Sequence, residues 1–172
     1  LKKENVQFSL LKYALPYISS SQNEKDMAKR WLLAGLNSDD WDINDSALET
    51  TDSLLNCDNN LENFISDDIF EKVTQMLMHT AFNVRNRAAI VYVSFVKDRG
   101  WDFAKEKVMP RIRDIVNSCT IPIMQTTIRI YIGLKAIDPP RDLRKEINSV
   151  ISKAKDQKDF IYIVPLIDSK KK

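Results

Sequence analysis

The stretch Asp39-Asp40-Trp41-Asp42-Ile43-Asn44-Asp45-Ser46-Ala47-Leu48-Glu49 decides the fold, because it returns along the chain in degraded form. Ile43 and Val84 stand 41 residues apart, Val84 and Ile123 stand 39 apart, and Val6 lies 37 before Ile43. After each aliphatic comes a small or apolar pair: Leu10-Leu11, Ala47-Leu48, Ala88-Ala89 and, more loosely, Thr127-Ile128. A period of about forty residues, with helical spacing inside each unit, is the signature of stacked helix pairs.

Outward from that stretch, the apolar pattern predicts helices over 4–17, 22–36, 41–55, 67–77, 84–97, 102–117, 123–137 and 141–155. Ser21-Gln22-Asn23-Glu24 has the spacing of a capping box. The helix after it carries Met27, Trp31 and Ala34 or Gly35 on one side, with Ala28, Leu32 and Leu36 beside them. In 41–55 the inward set is Ile43, Ala47, Leu48, Thr51 and Leu54. Asp67 and Asp68 follow Ser66 at a helix start, where the dipole favours acids. Ile69, Phe70, Val73, Met76 and Leu77 then face inward, as do Val84, Ala88, Val91, Tyr92 and Phe95 in the returning helix. Gly100 is placed to stop that helix. Pro110 is expected to bend the next one. Ile123, Ile130, Tyr131 and Leu134 form one later inner face, and Leu143, Ile147, Val150, Ile151 and Ala154 another. Residues 160–167 read as a truncated helix or a capping strand, and Lys170-Lys171-Lys172 as a frayed tail.

The 172 residues suffice for one domain with a real core. Units are expected at roughly 1–20, 21–60, 61–100, 101–138 and 139–167, with a tail at 168–172. Three glycines are too few for a phosphate-cradling fold or a hairpin-rich sandwich, and 44% hydrophobic with 29% charged residues is ordinary for a globular protein. No apolar run reaches the roughly eighteen residues of a membrane span. The longest, 160–167, contains Pro165. The chain opens on Leu1 inside an expected helix, which suggests a piece of a longer solenoid. Cys57 and Cys119 stand apart without zinc-like spacing, as in a reduced intracellular protein.

The net charge of +2 conceals an asymmetry. Residues 1–80 carry 7 Lys/Arg against 14 Asp/Glu, a net −7, and residues 81–172 carry 19 against 10, a net +9. In a solenoid, one end would then be acidic and the other basic.

The turn followed by acid-x-aliphatic-Arg and small residues resembles the HEAT repeat. Asn83-Val84-Arg85 with Ala88-Ala89 matches well, Trp41-Asp42-Ile43-Asn44 with Ala47-Leu48 carries Asn44 in place of arginine, and the copy at Ile123 matches only in apolar positions. This resemblance implies an all-α, right-handed α-α superhelix of about four HEAT-like hairpins. A narrower likeness, over Trp41 to Glu49 with Val84-Arg85 and Ala88, is to the central repeats of the BRCA-associated ATM activator family. It implies a nuclear and cytoplasmic scaffold linked to DNA-damage signalling and to the nuclease module of the Integrator complex. That family's C-terminal tail motif has no counterpart at residues 169–172.

These readings imply a non-catalytic protein-binding scaffold, with no cofactor, no metal and no membrane partner. The partner-binding candidates are Trp41, Arg85, Arg87, Lys97, Arg99, Arg111 and Arg129. Trp41 is either a core aromatic at the inter-helix turn or an exposed anchor, tryptophan being enriched at binding hot spots. Arg85 either pairs with Asp39, Asp40 or Asp42 from the preceding turn, as HEAT arginines do, or is offered to a partner. The acids at 39, 40, 42 and 45 read as a solvated turn more readily than as a cation site, since they lack the glycine and terminal glutamate of a calcium loop. The sole histidine, His79, is expected as a cap at a helix C-terminus. No nucleophile has a visible histidine–acid constellation. The second reading is nucleic-acid binding through Lys97, Arg99, Lys105, Lys107, Arg111 and Arg113 near Trp101, although Asp114 interrupts that face.

Overall fold

The computed structural model describes residues 22–56, 65–118 and 120–156. All regular structure among these residues is helical. The expected helix at 4–17, the segment 160–167, the lysine tail and both cysteines lie outside them. The chain divides into two compact units, Leu1–Asp98 and Arg99–Lys172.

Unit 1 holds α1 (Gln22–Leu36), α2 (Trp41–Leu55), α3 (Asp67–Met76) and most of α4 (Phe82–Phe103). Short turns at 37–40 and 77–81 fold them into two helical hairpins. The inner faces are aliphatic at helical spacing: Ala28, Leu32 and Leu36 on α1, and Ile43, Ala47, Leu48 and Leu54 on α2. Ile69, Phe70, Val73 and Leu77 from the third helix and its cap meet Val84, Ala88, Val91, Tyr92 and Phe95 of α4. Phe70 is the node of this second hairpin, stacked on Tyr92 and edge-on to Phe95, both at 5.1 Å between centroids. The Tyr92 hydroxyl avoids an unmet demand by sharing a 2.7 Å hydrogen bond with Thr74. Buried Thr50 and Thr51 donate back to the Ser46 and Ala47 carbonyls at 2.9 Å, so α2 tolerates hydroxyls in its core face.

The inward side of α1 differs from one part of the expectation. Ala28, Leu32 and Leu36 are buried, whereas Met27 and Trp31 are 43% and 47% exposed. One face of a helix cannot point all five at a single neighbour, and the smaller, aliphatic stripe packs against α2. Met76 is likewise only half-buried.

The two hairpins are linked in register. Arg87 of α4 meets Asp45 of α2, and Ser94 meets Asp52, each pair 42 residues apart. Both helices advance by seven residues between the two rungs, so α2 and α4 lie side by side and run the same way. Asn56 reinforces the second rung, donating to Asp52 Oδ1 at 3.1 Å and to Ser94 Oγ at 3.2 Å. Lys29 of α1 reaches Asp68 of α3 at 3.4 Å.

Unit 2 takes over at the kink in α4. Gly100 has φ 83 and ψ −179, a left-handed conformation that glycine adopts without steric cost. The helix stop expected there is therefore a break inside a longer helical run. Beyond it, a π-helical turn spans Ala104–Val108, followed by α5 (Met109–Ser118), α6 (Ile121–Ala136) and α7 (Arg141–Lys155). Pro110, expected to bend this run, directly follows the π turn, in which Met109 N–H donates to the Ala104 carbonyl, five residues back. The wider turn relieves the clash that a proline ring makes in a regular helix. Pro122 sits in the first turn of α6, where its missing N–H goes unneeded. The core joins Val108, Met109 and Ile112 with Ile130, Tyr131, Leu134, Leu143, Ile147 and Ile151. Ile123 and Val150, expected inward, are half-buried. Lys105 bonds Asp142 at 2.9 Å and Arg113 holds Glu146 in a two-pronged contact at 2.7 and 2.8 Å, tying the π turn and α5 to α7.

Candidate functional site

One end of unit 1 gathers the residues that the sequence singles out most sharply. Asp40 starts α2 by accepting the Asp42 N–H at 3.0 Å, while its own N–H donates to Ser38 Oγ at 3.1 Å. This cap makes Trp41 the first helical residue, and its ring is 48% exposed. Trp41 is thus no core aromatic. At the start of α4, Phe82 is 52% exposed, and Met78 in the preceding turn is 50% exposed. Trp41 precedes Asp45 by one helical turn and Phe82 precedes Arg87 by slightly more. Since those two rung residues touch, the two rings begin neighbouring parallel helices at the same end.

Arg85 corrects a prediction. It does not pair with Asp39, Asp40 or Asp42. Its guanidinium is buried, and Nη1 donates to the carbonyls of His79 at 2.6 Å and Thr80 at 2.7 Å. It thereby ties down the turn between α3 and α4, whose carbonyls it takes. Asn44, the corresponding residue of the first hairpin, does the same work with a shorter arm, donating to the Gly35 and Ser38 carbonyls at 2.9 and 3.0 Å. In unit 2, Arg144 donates to the Pro139 carbonyl at 2.8 Å and to Asp138 at 2.7 Å. All three stand fourth in their helices, one turn in, from where a side chain reaches back over the preceding turn. Asn44 in place of arginine is therefore a functional equivalent. The Arg85 guanidinium also lies 6.0 Å from the centre of the Phe82 ring.

The ion pair between the hairpins is made instead by Arg87, two residues on, with Asp45, which was not among the acids expected. The hydrogen bond that Arg87 donates to Asp45 raises its already high pKa, and the charges of Asp45, Glu49 and Asp52 add to the effect. Those acids share one stripe of α2, so that stripe carries a negative potential with Arg87 across from it. His79 is a turn acceptor, its Nδ1 taking the Ala81 N–H at 3.0 Å. Of the acids at 39, 40, 42 and 45, Asp40 caps α2, Asp45 forms a rung and Asp39 is exposed. Among the described residues, no three His, Cys, Asp or Glu side chains are close enough to hold a metal ion. Nor is any described helix long and apolar enough to cross a membrane.

Of the remaining candidates, Lys97 belongs to unit 1 and Arg99, Arg111 and Arg129 to unit 2. Lys97 is exposed far along α4. Arg99, in unit 2, lies 4.9 Å from the Phe103 ring centre. Arg111 is exposed on α5. Arg129 is half-buried on α6, where burial lowers its pKa. Two members of the expected basic patch are bound to acids of α7. The hydrogen bond between Lys105 and Asp142 raises the lysine and lowers the aspartate, and the one Arg113 donates to Glu146 raises the arginine.

Phe82 and Met78 were not among the candidates. For Phe82 a signal exists: it precedes Val84 by two residues, as Trp41 precedes Ile43 and Ile121 precedes Ile123. Trp41, Phe82 and Ile121 each begin the second helix of a pair, and all three are exposed by 47% or more. No family model, no curated protein and no solved structure matches the chain.

Proposed function

We propose that this chain is part of a HEAT-type right-handed superhelix that serves as a non-catalytic protein-binding scaffold. The observation that carries this reading is the repeat-phased exposure of large apolar side chains at helix starts, on hairpins cross-tied 42 residues apart. A repeat array holds its neighbours by apolar packing and leaves phased positions on one edge for a partner. On the narrower resemblance, the scaffold would serve a nuclear complex linked to DNA-damage signalling or to Integrator. Nucleic-acid binding is weakened as an alternative, since Lys105 and Arg113 already hold carboxylates.

The test is affinity capture from nuclear and cytoplasmic extracts, with and without nuclease, read by mass spectrometry. The expected result is a defined set of proteins whose retention survives nuclease. Retention abolished by nuclease, together with direct binding to duplex or single strands that falls steeply with salt, would establish the nucleic-acid reading instead.

A further inference from the structure

We propose that the end of unit 1 carrying Trp41, Met78 and Phe82 is a docking edge for a partner segment with Lys or Arg beside large apolar side chains. The proposal deepens the scaffold reading and rests on it.

The apolar component is concentrated. Three large side chains, each about half exposed, lie at one end of adjacent helices and in the turn between α3 and α4. Exposed apolar side chains scattered singly carry no message, whereas a contiguous group marks a contact surface. The edge is also held in place before any partner arrives. Trp41 stands on a capped helix start. Phe82 neighbours Arg85, whose guanidinium is anchored on two carbonyls. Rigid anchors lose little conformational freedom on binding.

The charge around the edge selects the occupant. Asp39, Asp40 and Asp42 flank Trp41, and Asp45, Glu49 and Asp52 continue along the same helix. Of the two cations there, Arg85 is buried and turned to carbonyls and Arg87 is held by Asp45, so the acids outnumber them. Complementarity therefore favours a cationic segment and disfavours nucleic acid or an acidic peptide. The corresponding start in unit 2 has a different character: Ile121 stands between Thr120 and Pro122 with no acid nearby in sequence.

The probe is a fluorescently labelled amphipathic peptide of Leu and Lys at helical spacing, with a second peptide carrying Glu at every Lys position. Anisotropy titration of the whole chain should show binding of the Lys peptide and none of the Glu peptide. Trp41→Ala and Phe82→Ala should each weaken binding about tenfold or more. Asp39→Lys should weaken it and flatten its salt dependence. Trp31→Ala, equally exposed on α1, should leave it unchanged, and circular dichroism should match the parent for every variant. Equal binding of both peptides, or parental affinity in both Trp41→Ala and Phe82→Ala, would overturn the proposal. So would concentration-dependent self-association in sedimentation that Trp41→Ala abolishes, for the occupant would then be a second copy of the chain. A cellular partner that Trp41→Ala still retains sinks this edge and leaves the scaffold standing, whereas an extract that yields no protein partner sinks the scaffold reading.

Discussion

In unit 1 the polar rungs join α2 to α4, the second helices of their hairpins, through Asp45–Arg87 and Asp52–Ser94. In unit 2 they join the π turn and α5 to α7, through Lys105–Asp142 and Arg113–Glu146. The two units use the same chemistry on different helices. The difference has a consequence for charge. Unit 1 keeps an acidic stripe on α2 with Arg87 across from it, whereas unit 2 pairs Lys105, Arg113 and Arg144 with its own carboxylates. The ends differ too, an acid-flanked tryptophan and a phenylalanine against a lone isoleucine beside proline. Stacking thus tolerates a change of cross-tie because the apolar core carries most of the stability, and exposed ion pairs contribute only about 0–1 kcal/mol each.

The comparison breaks most completely in the core. Val91 is fully buried in unit 1, and Val91→Asp or Leu48→Asp places a charge there without a partner. Loss of helical circular dichroism at room temperature is the expected outcome. A soluble, monomeric variant with parental helicity would show that these positions do not face inward. Phe70→Ala comes next, removing the ring that both Tyr92 and Phe95 contact. A loss of about 3–5 kcal/mol in urea unfolding is expected.

The turn ties separate the units more finely. Arg85→Ala strips two carbonyls of a charged donor, at a cost of about 2 kcal/mol. Asn44→Ala, which removes a neutral donor, should cost less, about 1 kcal/mol. Equal costs would show that the charge on Arg85 adds nothing to the cap.

Alkaline pH addresses unit 2. Burial pushes Tyr131 up to about 12, with the charge of Glu146 adding to the effect, whereas an unfolded tyrosine titrates near 10. The fold prefers the neutral phenol, so its contribution is complete below about pH 10 and is lost as pH rises through about 12. Urea midpoints measured across that window should fall, and Tyr131→Phe should flatten the fall. The smallest effect is reserved for the rung itself. A double-mutant cycle on Arg87 and Asp45, both partly exposed at a 3.3 Å contact, should return about 0–1 kcal/mol.

Much of the helical layout was legible because it depends on local pattern. The apolar spacing from Ile43 to Leu54 and from Leu143 to Ala154 names α2 and α7 with their inner faces, and Gly100 announces a break. Side chains that choose between several partners were not legible. Arg85 stood within reach, in sequence terms, of three aspartates and took two carbonyls instead. Trp31 and Leu32 are neighbours with equal claims to the core, and only packing against α2 assigns one inward.

By itself, the sequence determined a helical chain with a repeat near forty residues, since periodicity and capping act over a few residues at a time. Only the tertiary structure decided that Arg87 meets Asp45, that Arg85 takes turn carbonyls in place of a carboxylate, and that Trp41 and Phe82 begin neighbouring helices at one end. The first and last of these span long stretches of chain, and their geometry comes from how helices pack, which no local pattern specifies.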